Sequence, residues 1–246
     1  MATRLPDPPS RGAEPRALPC VACPGKSTNL CRPLAGKLQA EFFDIGMRQR
    51  WTPREPMFRA GDKGPIFKIT EGIASVSRTL PGGQRQILRF LLPGDVGGYL
   101  TDNGLYSFDG EAITDVTTCT FPRDGFEAFA GRNAGFGAAI RAEMEEVLKE
   151  TGLHVTALGQ LSATGRVASF LLGMRKAFEA RGLHILALRL PMRRSDIGDY
   201  LGMRVETVSR AFTAMRRQGL IEVDGENVVI VDAEDLSTLL DRPAGP

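Results

Sequence analysis

Hydrophobic and polar positions follow three rhythms along this chain. Between Trp51 and about Cys119 they form short apolar or alternating runs, cut by Gly61-Asp62, Gly72, Pro81-Gly82-Gly83, Pro93-Gly94-Asp95, Gly97-Gly98 and Gly104. A turn roughly every ten residues is the mark of an antiparallel sandwich or roll, with Ile66-Phe67-Lys68-Ile69, Ile73-Ala74-Ser75-Val76 and Ile87-Leu88-Arg89-Phe90 as predicted strands. From Phe136 to Leu161 the turn residues thin out, and Met144, Leu148, Thr151, Val155 and Leu158 recur by fours and threes as an a/d seam. That spacing alone suits a helix packed on its own domain and a dimer coiled coil equally. A second stripe of Ile140, Val147, His154 and Leu161 lies on a neighbouring face, so the helix has two surfaces to satisfy. The pattern therefore points to dimerisation together with packing on the β domain.

The last third predicts a helix from near Ser162 through Phe178, a strand from Leu186 to Leu190, two helices, and a hairpin. In the hairpin, Leu220 to Val223 and Val228 to Val231 flank Asp224-Gly225-Glu226-Asn227. This is winged-helix order. Ahead of the roll, Leu34, Leu38, Phe42, Phe43 and Ile45 predict a short amphipathic helix. Residues 1–19 hold five prolines and no apolar core, which predicts a disordered leader rather than a signal peptide. The expected α+β organisation is thus a leader (1–19), a cysteine-containing loop with an antiparallel β-roll sensor domain (20–135), a dimerisation helix (136–161) and a winged helix-turn-helix (162–246).

Ser195-Asp196-Ile197-Gly198-Asp199-Tyr200-Leu201-Gly202 followed by Met203 to Phe212 has the form of a helix-turn-helix. Ser195 is placed to cap the first helix, Ile197, Tyr200 and Leu201 to bury it, and Gly202 to make the turn. In the second helix Val205, Val208, Phe212 and Met215 share one stripe, leaving Glu206, Ser209 and Arg210 together on another. Glutamate can accept from cytosine N4, arginine can grip guanine N7 and O6, and serine can meet either kind of base edge. A solvated helix face with a Glu206/Arg210 ion pair would have the same pattern, so charge has to arbitrate.

The whole-chain net charge of +2 decides nothing. Locally, Arg189 to Gly219 carries seven arginines against Asp196, Asp199 and Glu206, a net of +4, while residues 220–246 carry one arginine against seven acids, a net of −6. Positive charge is concentrated where phosphates would lie, which favours double-stranded DNA as the partner. Arg204, Arg194 and Arg216 complete the candidate DNA-binding set. No apolar run approaches the roughly 18 residues of a membrane-spanning helix, so no membrane partner is expected.

These residues resemble the CRP/FNR family of bacterial transcription regulators, over nearly the whole chain. The resemblance implies a β-roll of the cyclic-nucleotide-binding kind, a long dimer helix and a winged helix. Val205 before Glu206, and Ser209 before Arg210, match the FNR and FixK branch rather than the cyclic-AMP type. That branch implies a homodimer on an inverted repeat of TTGAT, with Glu206 and Arg210 at the G·C pair and Ser209 at a neighbouring thymine. It also implies that the turn Leu80-Pro81-Gly82-Gly83-Gln84 touches RNA polymerase, although by itself this is simply a hairpin tip.

Cys20-x2-Cys23-x7-Cys31 and the distant Cys119 form a set of four possible thiolate ligands. Free thiols in a chain read as cytoplasmic point to metal or redox chemistry. FNR-type regulators hold an oxygen-labile [4Fe–4S] cluster on three N-terminal cysteines and one in the roll, and Thr118-Cys119-Thr120-Phe121-Pro122 is a matching context. The x7 gap differs from that of their best-known member. Structural zinc on the same cysteines, or a cluster-free FixK-like regulator, are the alternatives. Cyclic-nucleotide capture is not expected, because Gly94 to Asp102 contains no arginine for a phosphate. An enzyme is not expected either: His154 and His184 are the only histidines, both outside the roll, and no hydrolase constellation, P-loop or dinucleotide fingerprint is present.

Overall fold

In the first half the turns at Pro81–Gly83 and Gly104 reverse the chain between paired strands, whereas Gly72 and Pro93-Gly94-Asp95 pass it from one sheet to the other. The computed structural model describes residues 30–99, 101–182 and 186–241; the leader, Cys20, Cys23 and His184 lie outside them. Ten strands run β1 (Met47–Trp51), β2 (Pro56–Phe58), β3 (Ile66–Glu71), β4 (Ala74–Thr79), β5 (Arg85–Leu91), β6 (Val96–Gly97), β7 (Thr101–Asp102), β8 (Leu105–Tyr106), β9 (Asp109–Ala112) and β10 (Val116–Phe121). They pair as antiparallel sheets in the orders β1-β10-β3-β6 and β2-β9-β4-β5, with β7 and β8 as a separate hairpin. Because side chains alternate across a strand, Phe67, Ile69, Val76, Leu91 and Val116 meet between the sheets. Ile66, Val96 and Phe121 instead face outward from the first sheet.

That outward face is covered by α1 (Gly36–Asp44), α2 (Arg123–Arg132) and the start of α3 (Ala134–Gln160). The contact is a cluster of phenylalanines. Phe42, on the amphipathic helix expected at this place, lies 4.3 Å from Phe121 and 4.8 Å from Phe136, ring centre to ring centre. Offset and tilted rings of this kind add to the stabilisation from burial alone.

The C-terminal third comprises α4 (Ala163–Glu179), β11 (Leu188–Arg189), α5 (Arg194–Leu201), α6 (Val205–Arg217), β12 (Ile221–Asp224), β13 (Asn227–Ile230), α7 (Ala233–Ser237) and a closing 3-10 turn. Ser162 caps α4, its Oγ accepting from the Gly165 amide at 3.1 Å. Two expectations need correction. The strand from Leu186 to Leu190 shrinks to Leu188 and Arg189, because only these residues find partners on β13, and Leu186 is 94% exposed. Ser195 does not cap α5: the cap falls two residues earlier, at Arg193, so Ser195 is already inside the helix and the Ile197 amide it would have received bonds the Arg193 carbonyl at 3.0 Å. The Asp196 carboxylate accepts from the Arg193 amide at 2.9 Å.

The roll and the winged helix share one core, in which Ile87 and Phe90 of β5 pack with Phe170, Leu171, Ile197 and Leu201. Charge locks the same junction. Arg54 reaches Asp196 at 2.8 Å and Glu111 at 3.0 Å; Arg85 reaches Asp196 at 2.5 Å and Asp199 at 2.9 Å. Arg54 takes a left-handed backbone with φ of 70°, a conformation that non-glycine residues adopt at a cost. Burial alone would push the Asp196 carboxyl up, but hydrogen bonds from Arg54, the Arg193 amide and Arg85 outweigh it and hold the group below the usual carboxylate range. Asp196→Ala should therefore cost about 3 kcal/mol in denaturant unfolding at neutral pH. Because the folded carboxyl ionises below its unfolded value, its contribution is complete above about pH 4 and is lost as pH falls through the folded value. The gap between wild type and variant should close in step, and a gap constant from pH 7 to pH 3 would show that the carboxylate's charge is not what holds the junction.

Candidate nucleic-acid interface

Helix α6 is amphipathic because Val208, Ala211, Phe212 and Met215 recur on one side and are buried against α4 and α5. Its other side carries Glu206, Ser209 and Arg210, all exposed, with Arg204 before the first turn and Arg216 in the last. Among the described residues no ion pair joins Glu206 to Arg210, so both side chains face solvent. The Ser209 hydroxyl donates to the Val205 carbonyl at 2.9 Å and keeps its lone pairs available. Arg194 is placed differently from the other candidates: its guanidinium lies over the Phe212 ring, 3.6 Å from the centroid, and burial pulls its pKa down. It braces α5 against α6.

Two of the three acids that reduced the local charge count point away from this surface. Asp196 and Asp199 are turned to Arg54 and Arg85 of the roll. The exposed face is therefore more positive than +4 over the segment suggests. Beside it, an open groove of about 450 Å³ is lined by Ser162, Arg166, Met203, Arg204 and Thr207. Arg166 donates to the carbonyls of Leu161 and Leu201, tying the start of α4 to the turn of the helix pair.

That turn depends on two glycines. Gly202 adopts φ of 61°, the left-handed conformation that lets α5 stop and α6 leave at an angle. Gly198 is required for close approach: a Cβ there would sit 2.6 Å from the Met203 carbonyl oxygen. Its role was not legible in the helical pattern, where it looks like an ordinary helix position.

On α3 the two stripes separate as expected. Val147, Ile140 and His154 turn inward, His154 stacking on Tyr200 with ring centres 4.0 Å apart. On the other stripe Leu148 is 74% exposed and Val155 61%, Thr151 is exposed, and Met144 and Leu158 are half-buried. The hairpin tip Leu80-Pro81-Gly82-Gly83-Gln84 is exposed throughout. Its base, Arg85, is the residue that grips α5, a placement that local sequence does not reveal.

Of the candidate metal ligands, Cys31 and Cys119 are described. Both pack against the phenylalanine cluster under α1 and α2, Cys31 from the loop preceding α1 and Cys119 from β10. Residues far apart in the chain thus bring two sulfurs to one patch. The Lys68 ammonium, from β3, donates to Cys31 Sγ at 2.9 Å.

Comparison with known proteins agrees with this layout. The cyclic nucleotide-binding domain matches residues 48–133 and the Crp-like helix-turn-helix domain matches residues 165–239. The nitrogen fixation regulation protein FixK of Bradyrhizobium diazoefficiens is 33% identical over 227 residues, 92% of this chain and 95% of its own length. The transcriptional activatory protein AadR of Rhodopseudomonas palustris is 32% identical over 88% of this chain and 91% of its own. The structure of FixK2 from Bradyrhizobium japonicum superposes with a TM-score of 0.73 at 30% identity, covering 82% of this chain and 100% of that one. A β-roll joined by a long helix to a winged helix with an exposed basic face is a DNA-binding transcription regulator. The chain belongs to the CRP/FNR family, and within it is of the FNR/FixK type.

Gly198→Ala should force α5 and α6 apart, lowering stability by about 2 kcal/mol and abolishing specific DNA binding together. A thermal melt and a gel shift check this; unchanged values for both would mean that the contact relaxes without consequence.

Proposed function

We propose that this chain is an oxygen-responsive regulator: a homodimer that binds TTGAT-N4-ATCAA-like sites and carries a [4Fe–4S] cluster on Cys20, Cys23, Cys31 and Cys119. The observation that carries the sensor reading is the meeting of Cys31 and Cys119 on one patch, next to a buried ammonium. The donor set suits the group: soft sulfurs from a loop and a strand, partly shielded from water by aromatic rings. When bound, such a cluster supplies a centre that dioxygen oxidises, which changes the charge held by the ligand loop. The protein's own part is to fix Cys119 in a paired strand while Cys31 sits in a loop that leads into α1.

Dimerisation is supported by the exposed stripe Leu148, Thr151 and Val155, which no element among the described residues covers. A dimer brings two α6 helices to two half-sites, so two weak contacts act as one bivalent contact. On each half-site Glu206 and Arg210 read the G·C pair and Ser209 a neighbouring thymine, while Arg204 and Arg216 neutralise phosphates. The Leu80 to Gln84 tip reaches RNA polymerase. Cyclic-nucleotide capture is disfavoured by Asp95, a buried carboxylate paired with Arg89 and Arg181 in the segment that would have to receive a phosphate.

The comprehensive test is an anaerobic gel shift on a TTGAT-N4-ATCAA duplex, repeated after exposure to air, with iron, sulfide and zinc analysis of the same sample. Iron and sulfide with air-sensitive binding is the expected result. Zinc, or no metal with binding indifferent to air, would remove the sensor reading and leave the DNA reading standing. Arg210→Ala should weaken specific binding by about 1–3 kcal/mol and relax preference at the G·C pair. Leu148→Glu should shift the protein to monomer in sedimentation and lose cooperative occupancy of the inverted repeat; a persistent dimer would place the seam elsewhere.

A further inference from the structure

Lys68 stands where the pattern of its strand calls for an apolar residue. It is the third residue of Ile66-Phe67-Lys68-Ile69, and alternation places it with Ile66 on the outward, phenylalanine-covered face of the first sheet. It is 2% exposed. An ammonium withdrawn from water to this degree is costly unless its donors find acceptors, and Cys31 Sγ is one of them, at 2.9 Å. In the strand register Lys68 lies directly opposite Cys119. Directly paired residues project to the same side, so Lys68 is next to one candidate ligand across the ladder and hydrogen-bonded to the other. Its other strand partner is Val96, which belongs to the same apolar patch.

A lysine kept here for the fold alone would be a poor choice. Desolvating an ammonium costs more than burying a hydrophobe, and the surroundings are already aromatic. The position is explained if the charge acts on the sulfurs. Resting on the sensor reading above, we propose that Lys68 is a positioning residue for the iron–sulfur centre: its ammonium holds Cys31 beside Cys119 and lends the centre a fixed positive charge and a hydrogen bond to sulfur.

The direction of the effect follows from charge. Four thiolates around a [4Fe–4S] core of formal charge 2+ make a doubly negative unit, and removing one electron leaves it singly negative. A nearby cation favours the more negative member of the pair, and so do hydrogen bonds to the sulfurs. Lys68 therefore makes loss of the electron to dioxygen harder and the centre longer-lived in air. It sets how much oxygen the protein tolerates before responding, without itself being a ligand.

The experiment compares wild type with Lys68→Met, which is one atom shorter, unbranched like lysine and uncharged, both reconstituted anaerobically with iron and sulfide. On exposure to air, the visible absorption of the variant should bleach about tenfold faster, the size of change expected from removing one close unit charge. Without metal, the variant's melting temperature should be unchanged or higher. In wild type, the Fe–S(Cys) stretching bands in resonance Raman should shift on transfer to deuterated buffer, as sulfur accepting from an exchangeable N–H requires, and in the variant that shift should diminish. Equal bleaching rates, or wild-type bands indifferent to deuterium, would overturn the role of Lys68 while leaving the cluster standing. If Lys68→Met does not fold, the uncharged Lys68→Gln takes its place in both readouts, and wild-type bands indifferent to deuterium overturn the role with no variant at all. Wild type that takes up no iron and sulfide would overturn the cluster and this role together.

Discussion

A carboxylate withdrawn from water has to be matched by donors, and Asp196 is matched three times: by the Arg193 amide of its own helix and by the guanidiniums of Arg54 and Arg85 from the roll. The same group thus starts α5, orients the helix-turn-helix and joins it to the roll. Glu111 extends the pairing on the roll side and Asp199 on the helix side. Beneath the charges, Phe90, Phe170 and Tyr200 pack with ring centres within 6.1 Å of one another. Polar pairing fixes direction and apolar burial supplies most of the affinity, so the winged helix is a docked body rather than a tethered one.

This junction also sorts charge between the two helices. α5 turns its acids to the roll and α6 its cations to solvent, and the pair is strongly polarised although the chain as a whole is nearly neutral. The cysteine patch at the far side of the roll follows the same economy. A cation is buried there beside a sulfur.

Much of this was legible in the sequence because it is local. Turn residues set the strands of the roll, period-four and period-three spacing set α3 and its two faces, and Gly202 with the stripe Val208, Phe212 and Met215 set the helix-turn-helix. What escaped was long-range. Arg54 and Asp196 are 142 positions apart, and neither carries a local signal that it will pair with the other. Arg194 sits in a basic run, and nothing local shows that its guanidinium stacks on Phe212. Lys68 was visible only as a polar residue in a strand, and Gly198 only as a weak helix former. Ser195 lost the cap because the helix starts two residues ahead of it, where Asp196 reaches back to the Arg193 amide.

The helix α3 has a mechanical meaning beyond its two faces. It runs unbroken for 27 residues, Ala134–Gln160, with Phe136 seated in the aromatic cluster near the cysteines and His154 lying flat on Tyr200 of the helix-turn-helix. At about 1.5 Å per residue the two seats stand roughly 27 Å apart along the rod. A rod cannot shift at one end alone. A tilt of about 5° about the Phe136 end would carry the His154 seat some 2 to 3 Å, on the order of one base-edge hydrogen bond. The helix is a lever arm, and a small rotation at its aromatic seat is returned, enlarged, at the helix-turn-helix.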